Sequence, residues 1–580
     1  MRRQPAAQPV RRIAALCVLL GAPTSLAHAD SVVNLCAFDN QAKKAPSDMS
    51  LAEAIVRGGR ITFSCGRTTI RFRQSHMVTK STEIDGARVI TLDGGAFRMF
   101  TATDARITFR LVDLDIVNGG KPPVRATPPF ISFFLPGGVV RGTMRLEIVR
   151  SSVTRSKWAV DMKGGSMHIE ASRFADNDGP VLVGGNIEVL NHSVFSNNRG
   201  NPIFGREGAN VIADSDFFGN LVASGFVRST LRVTRSRFSA NSATGNAAAL
   251  NIAVDATIEE SEFRNNAATN GGAININGAA RNVSLRAVKF YDNTAKAHGG
   301  AIGVEPSVTP LDLTLRHATF VGNRAQWGGA ISLERSIGNT RALRGVAVGF
   351  NGNQASVSGG ALYAPNSSVR MARAVFVRNS AGAAGGAIAA LQQGPRSVEL
   401  GNSLFVHNVA VSGSAFWGNS ATFINSTITD NGEAPVWAEA RALTPFPPPA
   451  GTPPTFPIRF QNSIVSGDNG RACGPAVAST PYVDDGNNLQ YPGGSCGASI
   501  ASSWPALGPY YMPLTWSAAI DGGNNKACAI IPVERKDVYN THRPLSSHCT
   551  IGAVEGSVSH LIARWRNRND TQGKLLVAGR

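Results

Sequence analysis

Aromatic side chains are scarce in this 580-residue sequence, at 7%, and charged ones make up only 17%. A chain poor in aromatics and carrying 61 Gly is unsuited to one thick core; it suits many thin layers. No cysteine lies between Cys65 and Cys473. There is no Cys-x-x-Cys pair and no His-rich spacing, which removes the usual zinc sites. Beyond residue 30 no apolar run is long enough to cross a bilayer as a helix.

Residues 1–29 read as an export signal. Arg2, Arg3, Arg11 and Arg12 form its basic end, Ile13 to Ala22 its apolar core, and Ala27-His28-Ala29 a small-x-small cleavage site. The mature chain is expected to start at Asp30 and to work outside the cell, in a periplasm or at the cell surface; twin-arginine export through Arg11-Arg12 is the alternative route. An oxidising compartment favours disulfides over metal ligation for the six remaining cysteines. Six cysteines leave several connectivities open. The simplest joins sequence neighbours: Cys36 with Cys65, Cys473 with Cys496, Cys528 with Cys549. The formal charge of +18 falls to +14 once the four signal arginines are removed. A basic exported chain suits an anionic glycan or another cell-surface ligand, and equally suits solubility alone. Nothing points specifically to nucleic acid.

What is abundant is repetition. Phe-x-x-Asn occurs as Phe174 with Asn177, Phe195 with Asn198, Phe217 with Asn220, Phe238 with Asn241, Phe263 with Asn266, Phe290 with Asn293, Phe320 with Asn323, Phe350 with Asn353, Phe376 with Asn379 and Phe405 with Asn408, in steps of 21 to 30 residues. In five units Gly-Gly-Ala-Ile/Leu follows, beginning at Gly271, Gly299, Gly328, Gly359 and Gly385. Five residues before Phe the position is large and apolar (Ile258, Leu285, Leu315); two before, it is small (Ser236, Ser261, Ala318). This alternation predicts a strand running through Phe, and helical repeats would tolerate the glycines poorly. Parallel strands in a coiled chain predict an all-β, single-stranded right-handed parallel β-helix. Equivalent residues then lie about 4.8 Å apart, so Phe stacks on Phe and Asn bonds Asn in a ladder. A propeller needs longer units, and a sandwich has no such columns.

The paired marks over about residues 170–410 resemble the repeat of chlamydial-type polymorphic outer-membrane proteins. Asp85-Gly86-Ala87-Arg88-Val89-Ile90-Thr91-Leu92-Asp93-Gly94-Gly95 resembles the opening coils of secreted β-helix proteins of the CSLREA/choice-of-anchor-Q kind. Ser50-Leu51-Ala52-Glu53-Ala54-Ile55 is similar to the helix of that segment, with Met49 and Ala52 where Cys and Arg are usual; Ser50 and Glu53 also make a capping box. Cys549-Thr550-Ile551-Gly552-Ala553-Val554-Glu555 resembles the family's C-terminal end, with Thr550 in place of Asp. The expected organisation is a signal at 1–29, an N-terminal cap at 30–66, the β-helix at 67–470, last coils and a disulfide-tied cap at 471–556, and a basic tail at 557–580. The tail leaves no room for a membrane barrel. Two insertions interrupt the rod: Lys121 to Gly138, with Phe130, Phe133 and Phe134 between prolines, and the Pro-rich Thr444 to Pro457.

Chemistry is thin along the repeat. The residue groups of pectin-cleaving β-helices (Asn-Thr-Asp, Gly-His-Gly, Arg-Ile-Lys) are missing. Asp113/Asp115, Asp176/Asp178 and Asp214/Asp216 are the candidate carboxylate pairs; residues two apart share a strand face, so Asp214 and Asp216 are the pair expected to converge. Asp176/Asp178 and Asp484-Asp485 read as turn caps. His298 precedes Gly299-Gly300 in a repeat column and reads as a loop residue; His317, His407, His542 and His548 are isolated. Arg232/Arg370, Arg173/Arg237/Lys289 and Arg286/Arg316 share aligned columns, interrupted by Glu259, Glu262 and Glu399. No catalytic, cofactor or metal residue is assigned. The reading is an exported binding or adhesin-like surface module. A polysaccharide lyase (with calcium as its cofactor) or hydrolase acting on an acidic glycan is the first alternative, a structural spacer the second.

Overall fold

A computed structural model describes residues 30–556 apart from 96, 121–137, 308–309, 335–340, 393–396, 433, 440–456, 469 and 476–480. The expected signal, the basic tail, the Phe130 insertion and nearly all of the Pro-rich insertion therefore lie outside the described residues.

The chain is a parallel β-helix. Each strand pairs with its counterpart one coil on: Phe263 lies opposite Phe290, Phe290 opposite Phe320, Phe320 opposite Phe350, and Phe350 opposite Phe376. Three faces make up a coil. One carries the phenylalanines on three-residue strands such as Glu262–Arg264, Lys289–Tyr291 and Thr319–Val321. A long face holds strands of 10 or 11 residues in early coils, such as Val160–Glu170 and Ser224–Thr234. In later coils it divides, for example into Ile302–Val304 and Leu311–Arg316. Among the described residues a third face of five strands, from Ala267–Asn270 to Ser380–Ala381, exists only in the middle coils. Among the described residues the phenylalanine face runs through 18 paired strands, from Thr68–Arg71 to Ala501–Ser502, so steps of about 4.8 Å put its ends about 80 Å apart.

One expectation needs correction. Ile258, Ser261 and Phe263 read as positions on a single strand, but Glu260 between them is left-handed (φ 51°) and the chain turns there. The same position is left-handed in coil after coil: Asp214 at 50°, Arg235 at 44°, Ala287 at 54°. A second left-handed column follows Phe by two, at Ala240, Asn265 and Asp292. Each such residue costs about 1–2 kcal/mol in isolation. Bonding between coils offsets it at both corners. At the first corner the Ser236 N–H donates to Ser261 Oγ at 3.1 Å, as Ser215 N–H does to Ser236 Oγ at 3.2 Å. At the second the asparagines take over. Asn266 Nδ2 donates to Asn293 Oδ1 at 2.9 Å and to the Phe238 carbonyl at 2.9 Å, while the Asn266 N–H donates to the same Asn293 Oδ1 at 3.1 Å. The pattern repeats from Asn177 to Asn431. Near its far end Asn353 Nδ2 donates to Asn379 Oδ1, and Asn379 Nδ2 to Asn408 Oδ1, both at 2.9 Å.

Inside, the ten phenylalanine rings from Phe174 to Phe405 stack with centroids 4.5–5.0 Å apart and planes within 12°. Ile428 takes the next register position and the stack ends. The Gly-Gly corner is tight for a physical reason. A Cβ on Gly272 would sit 2.1 Å from the Gly300 carbonyl oxygen, so no side chain fits.

At the front, Leu51–Arg57 is a helix closed by the Ser50/Glu53 capping box. Cys36 is bonded to Cys65 beside it. Asp39, fully buried, joins His76 Nε2 at 2.6 Å and accepts from the Arg73 N–H at 3.0 Å. At the back, Cys473 is bonded to Cys496 and Cys528 to Cys549. From residue 504 on, the chain runs back along the outside of the phenylalanine face. Met512, Val538 and Val554 bury Val375, Val377, Leu404 and Val406, and Ile551 covers Ile464 and Leu489. Ala553 N–H donates to Thr427 Oγ1 at 2.9 Å, and Asn402 Nδ2 donates to the Val533 carbonyl at 3.1 Å. This flank segment shields outward apolar residues of the last coils. The Cys528–Cys549 bond, spanning 21 residues, ties it into one unit. Replacing both cysteines with serine is expected to cost about 2–4 kcal/mol. Limited proteolysis of the double variant should cleave first within 504–556 and leave the upstream coils intact.

Candidate binding surfaces

Asp214, expected to converge with Asp216, is the left-handed corner residue itself and Asp216 opens the strand after it; each is engaged by an arginine one coil later. Arg235 Nε lies 2.7 Å from Asp214 Oδ1 and Arg237 Nε 2.7 Å from Asp216 Oδ1. The Arg235 guanidinium holds the Asp214 carboxyl below the usual carboxylate range. Asp113 is likewise held low, chiefly by Arg150 at 2.7 Å and then by Arg88 at 3.0 Å. Asp176 is a left-handed corner residue. Asp484 accepts from the Gly486 N–H at 2.9 Å, and Asp485 pairs with Arg459 at 2.8 Å. The basic columns are interleaved with acids. Arg232 and Arg286 both reach Glu259, at 3.2 and 2.8 Å, and Arg370 reaches Glu399 at 2.5 Å. Such exposed pairs are worth about 0–1 kcal/mol each.

Two shallow grooves that share His192 run along this corner. One of 520 Å³ is lined by Asp113, Arg150 and Arg173; the other, of 320 Å³, by Asp214, Arg237, Glu262 and Lys289. Both signs alternate along them, so neither offers the one-sign field that draws a long polyanion. Among the described residues no three of His, Cys, Asp and Glu come together as a metal site. His407 is tied to Tyr511 Oη at 3.1 Å and belongs to the flank contact.

A different surface gathers polar chemistry. Where the third face meets the long face, at the Gly-Gly corners, outward side chains of the two faces touch. His298 Nδ1 lies 3.2 Å from Ser332 Oγ. Side chains that point outward from adjoining sheets meet only where the corner folds inward, so this corner is re-entrant. Asn246 Nδ2 and Asn275 Nδ2 both donate to Glu305 Oε1 at 2.7 Å. Asn275 Nδ2 and Asn277 Nδ2 donate to Asn251 Oδ1 at 3.2 and 3.1 Å. Asn270 Nδ2 donates to Asn246 Oδ1 at 2.9 Å. Trp327 stacks on His298 with centroids 4.9 Å apart. Tyr363 follows Ser332 in register, on the coil after. Except for Asn275 and Ser332, which are fully buried, these residues are half-exposed.

Glu305 and Glu334 occupy equivalent positions on neighbouring coils, each directly after the paired Val304 and Leu333. Arg341 serves their backbones, donating from Nη2 to the Glu305 carbonyl at 2.6 Å and from Nη1 to that of Glu334. Burial first, then the Glu305 charge, pushes the Glu334 carboxyl up from 4.5 to about 6, with Arg341 opposing. Burial likewise pushes His298 down. An acid raised on folding is protonated more readily in the native state than in the unfolded one. Its ionisation therefore costs stability as pH rises through about 6, and that cost vanishes below 4.5. Glu334→Gln is expected to stabilise the chain at pH 7.5 by about 1 kcal/mol after solvent screening, and by nothing at pH 4. Guanidinium denaturation at the two pH values measures it.

Of this corner the sequence reading singled out His298 alone. Asn270, His298 and Trp327 share a column, each standing just before a Gly-Gly pair. Asn275, Gly303, Ser332 and Tyr363 share another. Polar and aromatic residues at a free column were the available signal.

Residues 350–365, from Phe350 through Asn353 and Gly359-Gly360-Ala361-Leu362, match the model of the Chlamydia polymorphic membrane protein repeat. No curated protein and no solved structure matches the chain.

Proposed function

We propose that the chain is an exported, surface-associated β-helix that acts as a non-catalytic binding module. The observation that carries this reading is the re-entrant corner: amides, carboxylates and aromatic rings from consecutive coils converge on one half-exposed strip of a stiff rod. The repeat match supports a place at a bacterial surface, since the family's printed name is that of membrane proteins. The likeness of the two ends to CSLREA/choice-of-anchor-Q proteins belongs to the same proposal. Acidic polysaccharide cleavage has less support, because Asp113, Asp214 and Asp216 are each held by arginine. A hydrolase needs one carboxyl kept protonated near a second free one, and Asp113 and Asp214, both held low by arginine, do not supply it.

Two measurements test the reading. Surface biotinylation of intact producing cells is expected to label the chain. Incubation with pectate, alginate and glycosaminoglycan, with and without calcium, is expected to release no product. Product formation lost on Asp216→Ala would replace this reading with the lyase or hydrolase one.

A further inference from the structure

We infer that the re-entrant Gly-Gly corner is a binding site for a neutral glycan, with Trp327 and Tyr363 as stacking platforms and Asn251, Asn277, Glu305 and Glu334 as the groups that take its hydroxyls. This rests on the binding-module reading and names the ligand class of that module.

Three observations lead here. First, the polar set is almost wholly amide and carboxylate, and its geometry is fixed beforehand. Glu305 is held by two amide donors, and Asn251 receives two more at its Oδ1. Planar, pre-oriented amides and carboxylates are suited to sugar hydroxyls, which both donate and accept. Second, acceptor capacity is left over. No donor among the described residues reaches Asn275 Oδ1, Asn277 Oδ1 or Glu334 Oε1, and Asn275 is fully buried. Buried acceptors call for a donor, and a polyhydroxylated ligand brings many. Third, half-exposed rings border the polar set. Trp327 is braced from behind by His298 at 4.9 Å, and Tyr363 stands on the coil after Ser332. A flat aromatic face packs the apolar face of a sugar ring while polar neighbours fix its rotation.

Charge decides between glycan classes. Glu305 and Glu334 stand one coil apart; Arg341 donates to both backbone carbonyls, and its charge partly offsets that of Glu334. Two carboxylates against one guanidinium leave the pair net negative, which disfavours a uronate or sulfate here. The arginines of the Asp214/Asp216 corner are saturated by their own acids and do not change that balance. Coil spacing adds a length requirement. Contacts from Asn246 to Tyr363 span four coil steps, about 19 Å, so a ligand filling the strip is an oligosaccharide of several units rather than a single sugar.

The test is titration calorimetry of the whole exported chain against hexaoses of glucose, mannose, galactose and N-acetylglucosamine, with hexagalacturonate as the anionic comparator. At least one neutral hexaose is expected to bind, unaffected by 0.5 M salt as an electrostatic contact would not be. Trp327→Ala is expected to weaken binding about tenfold, and Glu305→Gln to weaken it by a similar factor. Tyr363→Ser, which changes only a half-exposed side chain, serves if Trp327→Ala fails to fold. Binding of hexagalacturonate alone, abolished by Arg237→Ala, would overturn this inference and leave the binding-module reading intact. Shortening of the hexaose during titration would overturn both. Binding of a neutral hexaose that survives all three substitutions would overturn the site.

Discussion

Phe290→Ala is expected to lower stability by about 3–5 kcal/mol. The ring is fully buried between Phe263 at 5.0 Å and Phe320 at 4.8 Å. Its neighbours cannot close the gap, because backbone pairing on the same strand fixes the spacing from coil to coil. Relief by sliding is excluded by register: Lys289, Phe290 and Tyr291 are each paired on both sides. The consequence differs from that in a globular core. A solenoid's stability is nearly a sum of units and neighbour contacts, so a cavity in the middle weakens the coupling between the two halves. Thermal unfolding followed by circular dichroism should therefore show a lower midpoint and a broader or divided transition. The same substitution at Phe174, where the stack begins, is expected to cost less and to leave a single transition.

Asn323→Leu is expected to cost about 3–6 kcal/mol although it adds apolar surface to a buried site. The side chain accepts from the Asn293 N–H at 3.1 Å and from Asn293 Nδ2 at 3.0 Å, and donates to the Phe290 carbonyl at 3.2 Å and to Asn353 Oδ1 at 2.9 Å. Leucine leaves those groups buried with fewer partners, at about 1–3 kcal/mol for each one orphaned. Asn379, two coils on, makes the same four bonds and is expected to respond alike. Asn431 ends the ladder but still makes four bonds: it accepts from the Asn408 N–H and Nδ2, both at 2.9 Å, and donates to the carbonyls of Phe405 and Thr429. Asn431→Leu is therefore expected to cost about as much as Asn323→Leu. Equilibrium denaturation of the two variants side by side checks this.

The phenylalanine and asparagine columns were legible because each coil solves the same packing problem with the same residue. Stacking turns a structural position into a sequence column, and spacings of 21 to 30 residues do not blur it, since the extra length goes into loops. The corner three residues before each Phe was not legible. Arg235, Glu260 and Ala287 share no side-chain property; their left-handed backbone comes from the serine and asparagine bonds on either side, not from their own preference. The flank segment was hidden for another reason. Its contacts join residues far apart in sequence, such as Thr427 with Ala553 and His407 with Tyr511, and it carries no repeat. The proposed glycan strip lay between these cases. Its columns are real, but Asn270, His298 and Trp327 differ in type, so position alone marked them.

The central claim is that coils stack in register whatever the loop length between them. Spin labels at Asp115→Cys, Arg173→Cys and Lys289→Cys, taken in pairs, test it directly by electron–electron distance measurement. The three positions share one outward column, with Arg173 two coils from Asp115 and five from Lys289. The account predicts backbone separations of about 24 Å for 173–289 and about 34 Å for 115–289, a difference of two coil steps. Equal separations for the two pairs, or a 173–289 separation beyond about 40 Å, would contradict it.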